Sequence, residues 1–303
     1  MTTCIVCRST DVHEVAAADP LRVLQELWNV VENSEAMTVA DAFAIPTQVV
    51  FRRCASCSAE FFHPTISGGT NIYSQSHGDL YTDLRWDHFQ ILRRLRPGDR
   101  IIDFGGGSGR FGLAASQKGC QVTLIDSYDV QPQADRGADF RLMVADLDSQ
   151  ADLSSVTEIF QESADWVTGF HVVEHVHEPL QLLSTMVDCL SEKGRLAVSV
   201  PNRMRFDIAY LQPLDCPPHH QSRWTSRALE KLLQGSNLFD VTIKEETIIR
   251  PRTVVLGPPR WVLSRIRSGK SAIPSPIRPW PPSRLIKGMS LLGTGTKASR
   301  SVT

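Results

Sequence analysis

The chain has 303 residues, of which 42% are hydrophobic and 21% are charged, a composition typical of globular proteins with a substantial core. No apolar run is long enough to cross a bilayer, and the N-terminal stretch lacks the pattern of a secretory signal, so we expect a cytoplasmic protein. The net charge of −1 hides an asymmetry along the chain. Residues 1–246 carry 21 basic and 33 acidic side chains, a net charge of −12, whereas residues 247–303 carry eleven basic side chains and no acidic one. An acidic body gives no support to a nucleic-acid-binding core.

Two CxxC pairs mark the first region of the chain. They are Cys4 with Cys7 and Cys54 with Cys57. A helix is predicted between them at 19–31, and a strand at 48–53 precedes the second pair. In a cytosolic chain, paired CxxC spacing indicates a metal rather than disulfides, and four thiolates suit tetrahedral, structural Zn²⁺. We therefore predict a zinc-ribbon-like module at residues 1–66; the alternative is four reduced cysteines in a core.

Helix and strand patterns alternate between residues 79 and 250, after a polar linker at 68–78. Helices are predicted at 81–95, 108–118, 179–190 and 225–233, and strands at 100–104, 121–125, 140–144, 166–170, 195–200, 239–244 and 246–250. Strands separated by single helices require right-handed crossovers in a mostly parallel sheet. We therefore predict an α/β fold with a doubly wound, mostly parallel seven-stranded sheet.

A glycine-rich turn, DFGGGSG at 103–109, follows the first of these strands and opens a helix. Glycines there allow positive φ and let a ligand approach the backbone, and the helix N-terminus favours an anionic group. Asp126 ends the next strand, where a carboxylate can accept hydrogen bonds from both hydroxyls of a ribose. The turn lacks the last glycine of the GxGxxG pattern of dinucleotide binders. S-adenosylmethionine is therefore the better ligand, with Asp103 near its ammonium group.

Over roughly residues 79–249 the sequence resembles the class I S-adenosylmethionine-dependent methyltransferases. The matching stretches are 101–109, 124–126, 145–147, 165–167, 173–176 and 194–202. The resemblance implies that Asp126 binds the ribose, that Asp146 contacts the adenine amino group and that Leu147 flanks the adenine. It also implies that Gly105 and Gly107 line the methionine portion of the cofactor.

The cysteine module has a resemblance of its own. Bacterial methyltransferases that act on sugars and natural products often carry a similar N-terminal cysteine ribbon. The shared residues are the four cysteines with Phe61, Phe62 and Pro64. This resemblance implies a sugar or natural-product acceptor.

Histidines follow two strands at the carboxyl edge of the predicted sheet, where open α/β sheets bind ligands. His171 and His175 follow the fourth strand, and His219 and His220 follow the fifth across a proline-containing loop. O-methylation benefits from a base that is effective near neutral pH. We expect that base among His175, His219 and His220, and we expect His171 to border the cofactor. Because Glu174-His175 recurs in relatives of unlike chemistry, a structural role for His175 stays open.

From residue 251 the chain becomes basic and rich in proline, which predicts an extension at 251–303. Two short amphipathic stretches, at 260–267 and 284–289, suit an anionic membrane surface. The extension is therefore expected either to contact the inner face of the membrane peripherally or to be a flexible or acceptor-covering segment.

Together these patterns predict a methyltransferase with S-adenosylmethionine and structural Zn²⁺ as cofactors. Its expected acceptor is a hydroxyl, or an activated carbon, of a sugar, natural product or lipid-linked intermediate, and no nucleic-acid partner is expected.

Two other interpretations stay open. One is an RNA 2'-O-methyltransferase, a class that binds a metal through two glutamates and two histidines. The Glu-x-x-Glu-His pattern of that class has His171 in place of the first glutamate in this chain. The acidic body also suits RNA poorly, because RNA phosphates favour a basic surface. The other is a non-catalytic adapter, against which the intact Asp103, Asp126 and Asp146 count.

Overall fold

The structure is a computed structural model that describes residues 2–18, 48–65, 83–127, 140–205, 215–217, 219–249 and 285–298. The helix predicted at 19–31, the linker at 68–78 and the tail segment at 260–267 lie outside the described residues. Within the described parts of the chain, no helix is long and apolar enough to span a membrane.

Eleven strands and five helices are used below. The strands are β1 Val12–Ala18, β2 Val49–Cys54, β3 Glu60–His63, β4 Arg100–Phe104, β5 Gln121–Asp126, β6 Phe140–Val144, β7 Ala164–Phe170, β8 Leu190–Pro201, β9 Ser222–Arg223, β10 Leu238–Ile249 and β11 Leu285–Lys297. The helices are α1 Trp86–Leu92, α2 Arg110–Ser116, α3 Gln150–Phe160, α4 Pro179–Cys189 and α5 Ser226–Gln234.

The larger of the two sheets has seven strands in the order β10-β11-β8-β7-β4-β5-β6. Strands β4 to β8 pair in parallel, so that Ile102 of β4 lies between Thr123 of β5 and Val167 of β7. Strand β11 runs antiparallel to both of its neighbours. The predicted doubly wound, mostly parallel seven-stranded sheet is confirmed.

Both faces of this sheet are buried, because successive residues of its central strands pack into different cores. On one face, Ile101 belongs to a core with Ile91 of α1 and Phe111 of α2. On the other face, Ile102 belongs to a core with Leu182 of α4. The carboxyl ends of β4 to β8 consequently lie at one edge of the sheet, where an open α/β fold binds its ligands.

Strand β11 corrects the predicted boundary at residue 250. Leu285–Lys297 lies within the proposed extension, yet it is inserted between β10 and β8, with Leu291 opposite both Glu245 and Val200. The predicted boundary is therefore wrong, because the sheet of the α/β body extends to Lys297, whereas membrane contact of the tail stays a prediction. The physical reason is burial, since Leu291 and Leu292 are at most 1% exposed, and the sheet satisfies the backbone groups of the strand.

Two smaller differences concern local elements. Helix α3 was not predicted, because only Leu153 and Val156 of its eleven residues are buried and its apolar stripe is correspondingly short; Ser149 caps its start by accepting a hydrogen bond from the Asp152 amide. The two strands predicted at 239–244 and 246–250 form one strand, β10, with a register shift between Glu245 and Thr247. A bulge of this kind keeps a strand continuous.

The smaller sheet joins the cysteine region to the rest of the protein. Its antiparallel order is β1-β2-β3-β9, and β9 comes from the loop that follows the predicted histidine pair. Phe61 of β3 pairs with Ser222 of β9, and Phe61 belongs to the same apolar core as Ile102 of the large sheet. The predicted module therefore shares both a sheet and a core with the α/β body.

Candidate functional site

The glycine turn lies at the carboxyl end of β4 and begins α2. Gly105, Gly107 and Gly109 have φ values of 64°, 52° and 72°, which are strained for any residue with a Cβ. A Cβ on Gly105 would also lie only 2.6 Å from Cγ2 of Val172. The turn therefore needs glycine both for its conformation and for its close approach to the segment that follows β7.

Asp126 ends β5 beside this turn. One carboxylate oxygen accepts a hydrogen bond from the Gly107 amide at 2.8 Å, and the other accepts one from the Ser127 amide at 2.8 Å. The side chain is therefore oriented by backbone amides on a strand end. A carboxylate oxygen can accept more than one hydrogen bond, so these contacts leave acceptor capacity for ligand hydroxyls.

Asp103 lies deeper than its predicted role suggests. It is 2% exposed, and its Oδ1 accepts a hydrogen bond from the Thr168 hydroxyl at 2.6 Å. Burial and, to a smaller extent, the nearby Asp126 raise the pKa of the Asp103 carboxyl to about 7, although the Thr168 hydrogen bond acts in the opposite direction. Asp103 is therefore a buried residue directly before the glycine turn, and its contact with the ammonium group of the ligand stays a prediction.

Asp146 and Leu147 follow β6 at the same edge of the sheet. Leu147 is buried, whereas Asp146 is exposed and accepts a hydrogen bond from the Asp148 amide at 3.0 Å. A buried leucine beside an exposed carboxylate offers one apolar and one polar contact. The predicted roles on either side of an adenine stay predictions.

His171 follows β7 in the left-handed region, with φ of 56°. Its Nε2 lies 3.1 Å from the Ser290 hydroxyl of β11 and 3.4 Å from Oδ2 of Asp87, and its Nδ1 lies 3.4 Å from Oε1 of Glu174. Burial lowers the pKa of His171, but the carboxylates of Asp87 and Glu174 outweigh burial and leave it raised. The Asp87 carboxylate in turn accepts a hydrogen bond from Ser199.

The three histidines predicted as catalytic lie together, and we call them the histidine cluster: His175, His219 and His220. One nitrogen from each ring lies within 4.8 Å of those of the other two, and the rings of His219 and His220 stack at 4.5 Å between centroids. His175 Nδ1 lies 2.7 Å from the His219 carbonyl oxygen. Burial lowers the pKa values of His175 and His220, which favours neutral rings.

Glu174 lies beside two rings of the histidine cluster, those of His175 and His220. It is 0% exposed, and its Oε1 lies 3.9 Å from His175 Nε2 and 4.0 Å from His220 Nε2. Two backbone amides, those of Gln221 and Ser222, donate to the Glu174 carbonyl oxygen. These hydrogen bonds hold the histidine-bearing loop against the segment that follows β7.

The four cysteines of the CxxC pairs form a second cluster, which we call the cysteine cluster. Their Sγ atoms all lie within 4.8 Å of one another, and the Cys4–Cys57 and Cys7–Cys54 separations are both 3.6 Å. Around a Zn²⁺ ion with Zn–S bonds of about 2.3 Å, tetrahedral sulfurs lie about 3.8 Å apart. The cluster therefore fits one zinc ion with small adjustments.

The two CxxC segments have the same backbone design. Arg8 and Ser58 follow them with positive φ, and each donates its amide to the carbonyl oxygen of the first cysteine of its pair at 3.0 Å. Tight turns of this kind direct both thiols of a pair to one side. The geometry is that of two similar knuckles facing a common point.

Three residues of the site could not be read from the sequence. Asp87, Ser290 and Asp215 contact His171 or His220, but they come from α1, from β11 and from the loop after β8. The only local signal is an acid in the first turn of the amphipathic α1, which is common on exposed helices as well.

Comparisons with known proteins place these features among methyltransferases. The ubiquinone biosynthesis O-methyltransferase of Xanthomonas campestris pv. campestris (strain B100) is 31% identical over 118 residues, which are 38% of this chain. The enzyme of the same name from Xanthomonas axonopodis pv. citri (strain 306) is 30% identical over 117 residues, which are 37% of this chain. The aligned region covers 48% of each relative, so the chain spans about half the length of these relatives.

Solved structures are similar at lower identity. A SAM-dependent methyltransferase from Archaeoglobus fulgidus is 15% identical, with 69% of this chain and 94% of that chain covered and a TM-score of 0.47. The 1,6-didemethyltoxoflavin-N1-methyltransferase of Burkholderia thailandensis is 17% identical, with coverages of 76% and 87% and a TM-score of 0.47.

The family comparison covers the α/β body, from the residues before α1 to β10. Residues 81–243, which are more than half of the chain, match the family described as Methyltransferase domain. The matched region contains the glycine turn, Asp126 and the histidine cluster. The chain therefore belongs to the Methyltransferase domain family.

Proposed function

We propose that this protein transfers the methyl group of S-adenosylmethionine to a hydroxyl of a small acceptor, such as a sugar, natural product or lipid-linked intermediate; an activated carbon is the second acceptor type. One observation carries the proposal. The glycine turn touches Val172, which lies two residues before Glu174 and three before His175. The proposed donor site and the histidine cluster are thus neighbours.

The residues at the turn fit the cofactor. A Cβ on Gly107 would meet only the Gly105 carbonyl oxygen, at 4.0 Å, so this position of the turn is open, and Asp126 presents a carboxylate held by two amides. We assign Asp126 to the ribose hydroxyls and Gly105 with Gly107 to the methionine portion. Asp146, Leu147 and His171 are assigned to the adenine and to the border of the site. The bound cofactor supplies a methyl group made electrophilic by its positively charged sulfur.

The histidine cluster is proposed to activate the acceptor hydroxyl. A hydroxyl must lose its proton as its oxygen attacks the methyl carbon, and a positioned group that assists this loss contributes about 10²–10⁴-fold to a rate. The relatives named O-methyltransferases support oxygen as the acceptor atom. Alignment of the two reactants supplies the rest of the acceleration.

The cysteine cluster is proposed to hold structural Zn²⁺. Four sulfurs fill a tetrahedral shell and leave no open position for substrate. We also propose that residues 1–66 act as one module and that the catalytic domain runs from residue 79 through β11. Peripheral contact of the remaining tail with a membrane stays a prediction.

Titration calorimetry with S-adenosylmethionine, combined with transfer of a labelled methyl group to a panel of phenols, catechols and sugars, tests the proposal. Wild-type protein should bind the donor, and Asp126→Ala should weaken binding by about 10–100-fold, because charge-assisted hydrogen bonds contribute about 1.5–3 kcal/mol. Asp165→Ala is the matched control, since Asp165 begins β7 at the opposite edge and bonds to Arg100. A wild-type protein that binds no donor would refute the proposal.

A further inference from the structure

We propose that Glu174 and the histidine cluster form a second metal site, which binds a divalent transition-metal ion. The inference deepens the proposed function, because its catalytic part rests on the site being a methyltransferase site. Its binding part stands on the geometry of four side chains.

The Glu174 carboxylate is the anionic ligand of the proposed site. Glu174 is 0% exposed, and neither of its oxygens accepts a hydrogen bond from any residue that the structure describes. A carboxylate buried without such bonds costs several kcal/mol unless a positive charge compensates it. The groups that surround it are the imidazole rings of His171, His175 and His220 at 3.4–4.0 Å. His171 gives part of this compensation and also contacts Asp87, and a cation beside His175 and His220 would add to it.

The ring of His175 has an orientation that suits a metal ligand. The 2.7 Å contact between His175 Nδ1 and the His219 carbonyl oxygen requires that nitrogen to be the donor, since a carbonyl only accepts. The lone pair of neutral His175 is then on Nε2, the nitrogen that lies 3.9 Å from Glu174 Oε1. Metal-binding histidines typically have this second hydrogen bond to a carbonyl or carboxylate.

His220 has a corresponding outer contact. Its Nε2 lies 4.0 Å from Glu174 Oε1, while its Nδ1 lies 3.9 Å from Oδ1 of Asp215. Asp215 is itself buried and pairs with the buried Arg205. The inner nitrogen therefore faces the carboxylate and the outer nitrogen faces an anchored acid.

The spacing is close to that of a metal shell. Donor atoms about 2.1 Å from an ion lie about 3.0 Å apart at neighbouring positions of an octahedral shell, in which four protein ligands leave two positions open. The three histidines offer nitrogens within 4.8 Å of one another, and Glu174 Oε1 lies 3.9 Å from His175 Nε2 and 4.0 Å from His220 Nε2. Rotations of the side chains about their last torsions bring atoms together by such amounts. Three imidazoles with one carboxylate suit Zn²⁺, Mn²⁺, Fe²⁺ or Co²⁺, whereas Mg²⁺ and Ca²⁺ prefer oxygen ligands.

In the reaction, the ion would bind the acceptor hydroxyl and lower its pKa. The O–H proton leaves to water, the oxygen forms a bond to the methyl carbon, and the carbon–sulfur bond breaks with its electron pair on sulfur. The histidines then activate the hydroxyl by holding the ion, without a free imidazole as base. The acceptor class that fits is one with two neighbouring oxygens, such as a catechol or a vicinal diol, because both can reach one ion.

Cobalt(II) titration of chelator-treated protein tests the site. We expect wild-type protein to bind about one Co²⁺ per chain more than Glu174→Gln or His175→Ala, as measured by mass spectrometry of the desalted protein. The Co²⁺ ion that the two variants fail to bind should give visible absorption bands in wild type but no thiolate-to-cobalt charge-transfer band, because its ligands are nitrogen and oxygen. Charge transfer from the cysteine cluster should persist in both variants.

His13→Ala is the matched control, since His13 is an exposed histidine of β1, outside the histidine cluster, and it should bind as much Co²⁺ as wild type.

Thermal unfolding gives a second readout. Added Co²⁺ should raise the unfolding temperature of wild type and His13→Ala by more than that of Glu174→Gln or His175→Ala, because only the first two proteins keep both metal sites.

Equal Co²⁺ content in wild type, Glu174→Gln and His175→Ala would overturn the metal site. The outcome is separable from that of the proposed function, because donor binding at Asp126 is measured in the same proteins. Loss of Co²⁺ with intact donor binding supports the site, whereas intact Co²⁺ binding without donor binding would refute the methyltransferase proposal and keep the metal site.

Discussion

Asp103 shows how a single buried carboxyl can make stability depend on pH. Its pKa is raised by burial from an ordinary value of 3.8 to about 7, so the folded protein holds this proton more tightly than the unfolded chain does. The free energy of unfolding should therefore fall as pH rises from about 4 to about 7. At lower pH both states are protonated and the difference disappears.

Asp103→Asn should remove this dependence, because asparagine can accept the Thr168 hydrogen bond without a charge. Relative to wild type, the variant should gain about 2–4 kcal/mol between pH 4 and pH 8, as measured by urea unfolding at several pH values. Asp165→Asn provides a control of opposite sign, since the hydrogen bond from Arg100 lowers the pKa of Asp165. A difference between Asp103→Asn and wild type that is the same at every pH would contradict the prediction.

The elements that were predicted well are those whose signals are local. The apolar strands at 100–104 and 140–144 have the bounds that the structure shows, and α5 begins after Thr225, whose side chain accepts from the Ala228 amide. The glycine turn and the four cysteines could also be located, because a φ requirement and a CxxC spacing are visible in a few adjacent residues.

The elements that were missed depend on distant contacts. Strand β11 contains glycines that suggest a loop, but a Cβ on Gly293 would lie 2.5 Å from Cδ1 of Leu233 in α5. Its partners in β8 are 89 to 101 residues away in sequence, and Asp87 is 84 residues away from its contact His171. Only the folded sheet brings such residues together, so no local pattern predicts them.

Strand β11 also leads to a prediction about truncation. A chain that ends at residue 284 should fail to fold, because β8 and β10 would lose their shared partner and expose unpaired edges. A chain that ends at residue 298 keeps the strand and should unfold cooperatively like wild type. Size-exclusion chromatography and circular dichroism of both forms check this, and a folded monomer of the shorter chain would contradict it.

At the scale of the whole molecule, the cysteine cluster and the α/β body share one core. Cys4, Cys54 and Cys57 belong to the same apolar cluster as Ile102 and Leu182, and β9 completes the small sheet from the body. Loss of the proposed zinc should therefore destabilise the entire protein rather than the module alone. The body and the module are expected to unfold as one cooperative unit.

Cys54→Ser tests this coupling in scanning calorimetry. A single transition should move to lower temperature by roughly 5–10 °C, since a few kcal/mol shift a chain of this size by that amount. Cys120→Ser is the matched control, because Cys120 is a buried cysteine outside the cluster, and it should keep its zinc. Two separate transitions, with only one of them shifted, would show that the module and the body unfold independently.

The position of β11 in the large sheet has a consequence for synthesis on the ribosome. Strands β8 and β10 emerge before residues 285–297, but neither has its final neighbour until β11 is inserted between them. The nascent chain therefore carries open strand edges at β8 and β10 until residues 285–297 have emerged, and pairing across such sequence distances is slow. Chaperone dependence should be greatest in that interval, when a second nascent chain could pair with the open edges.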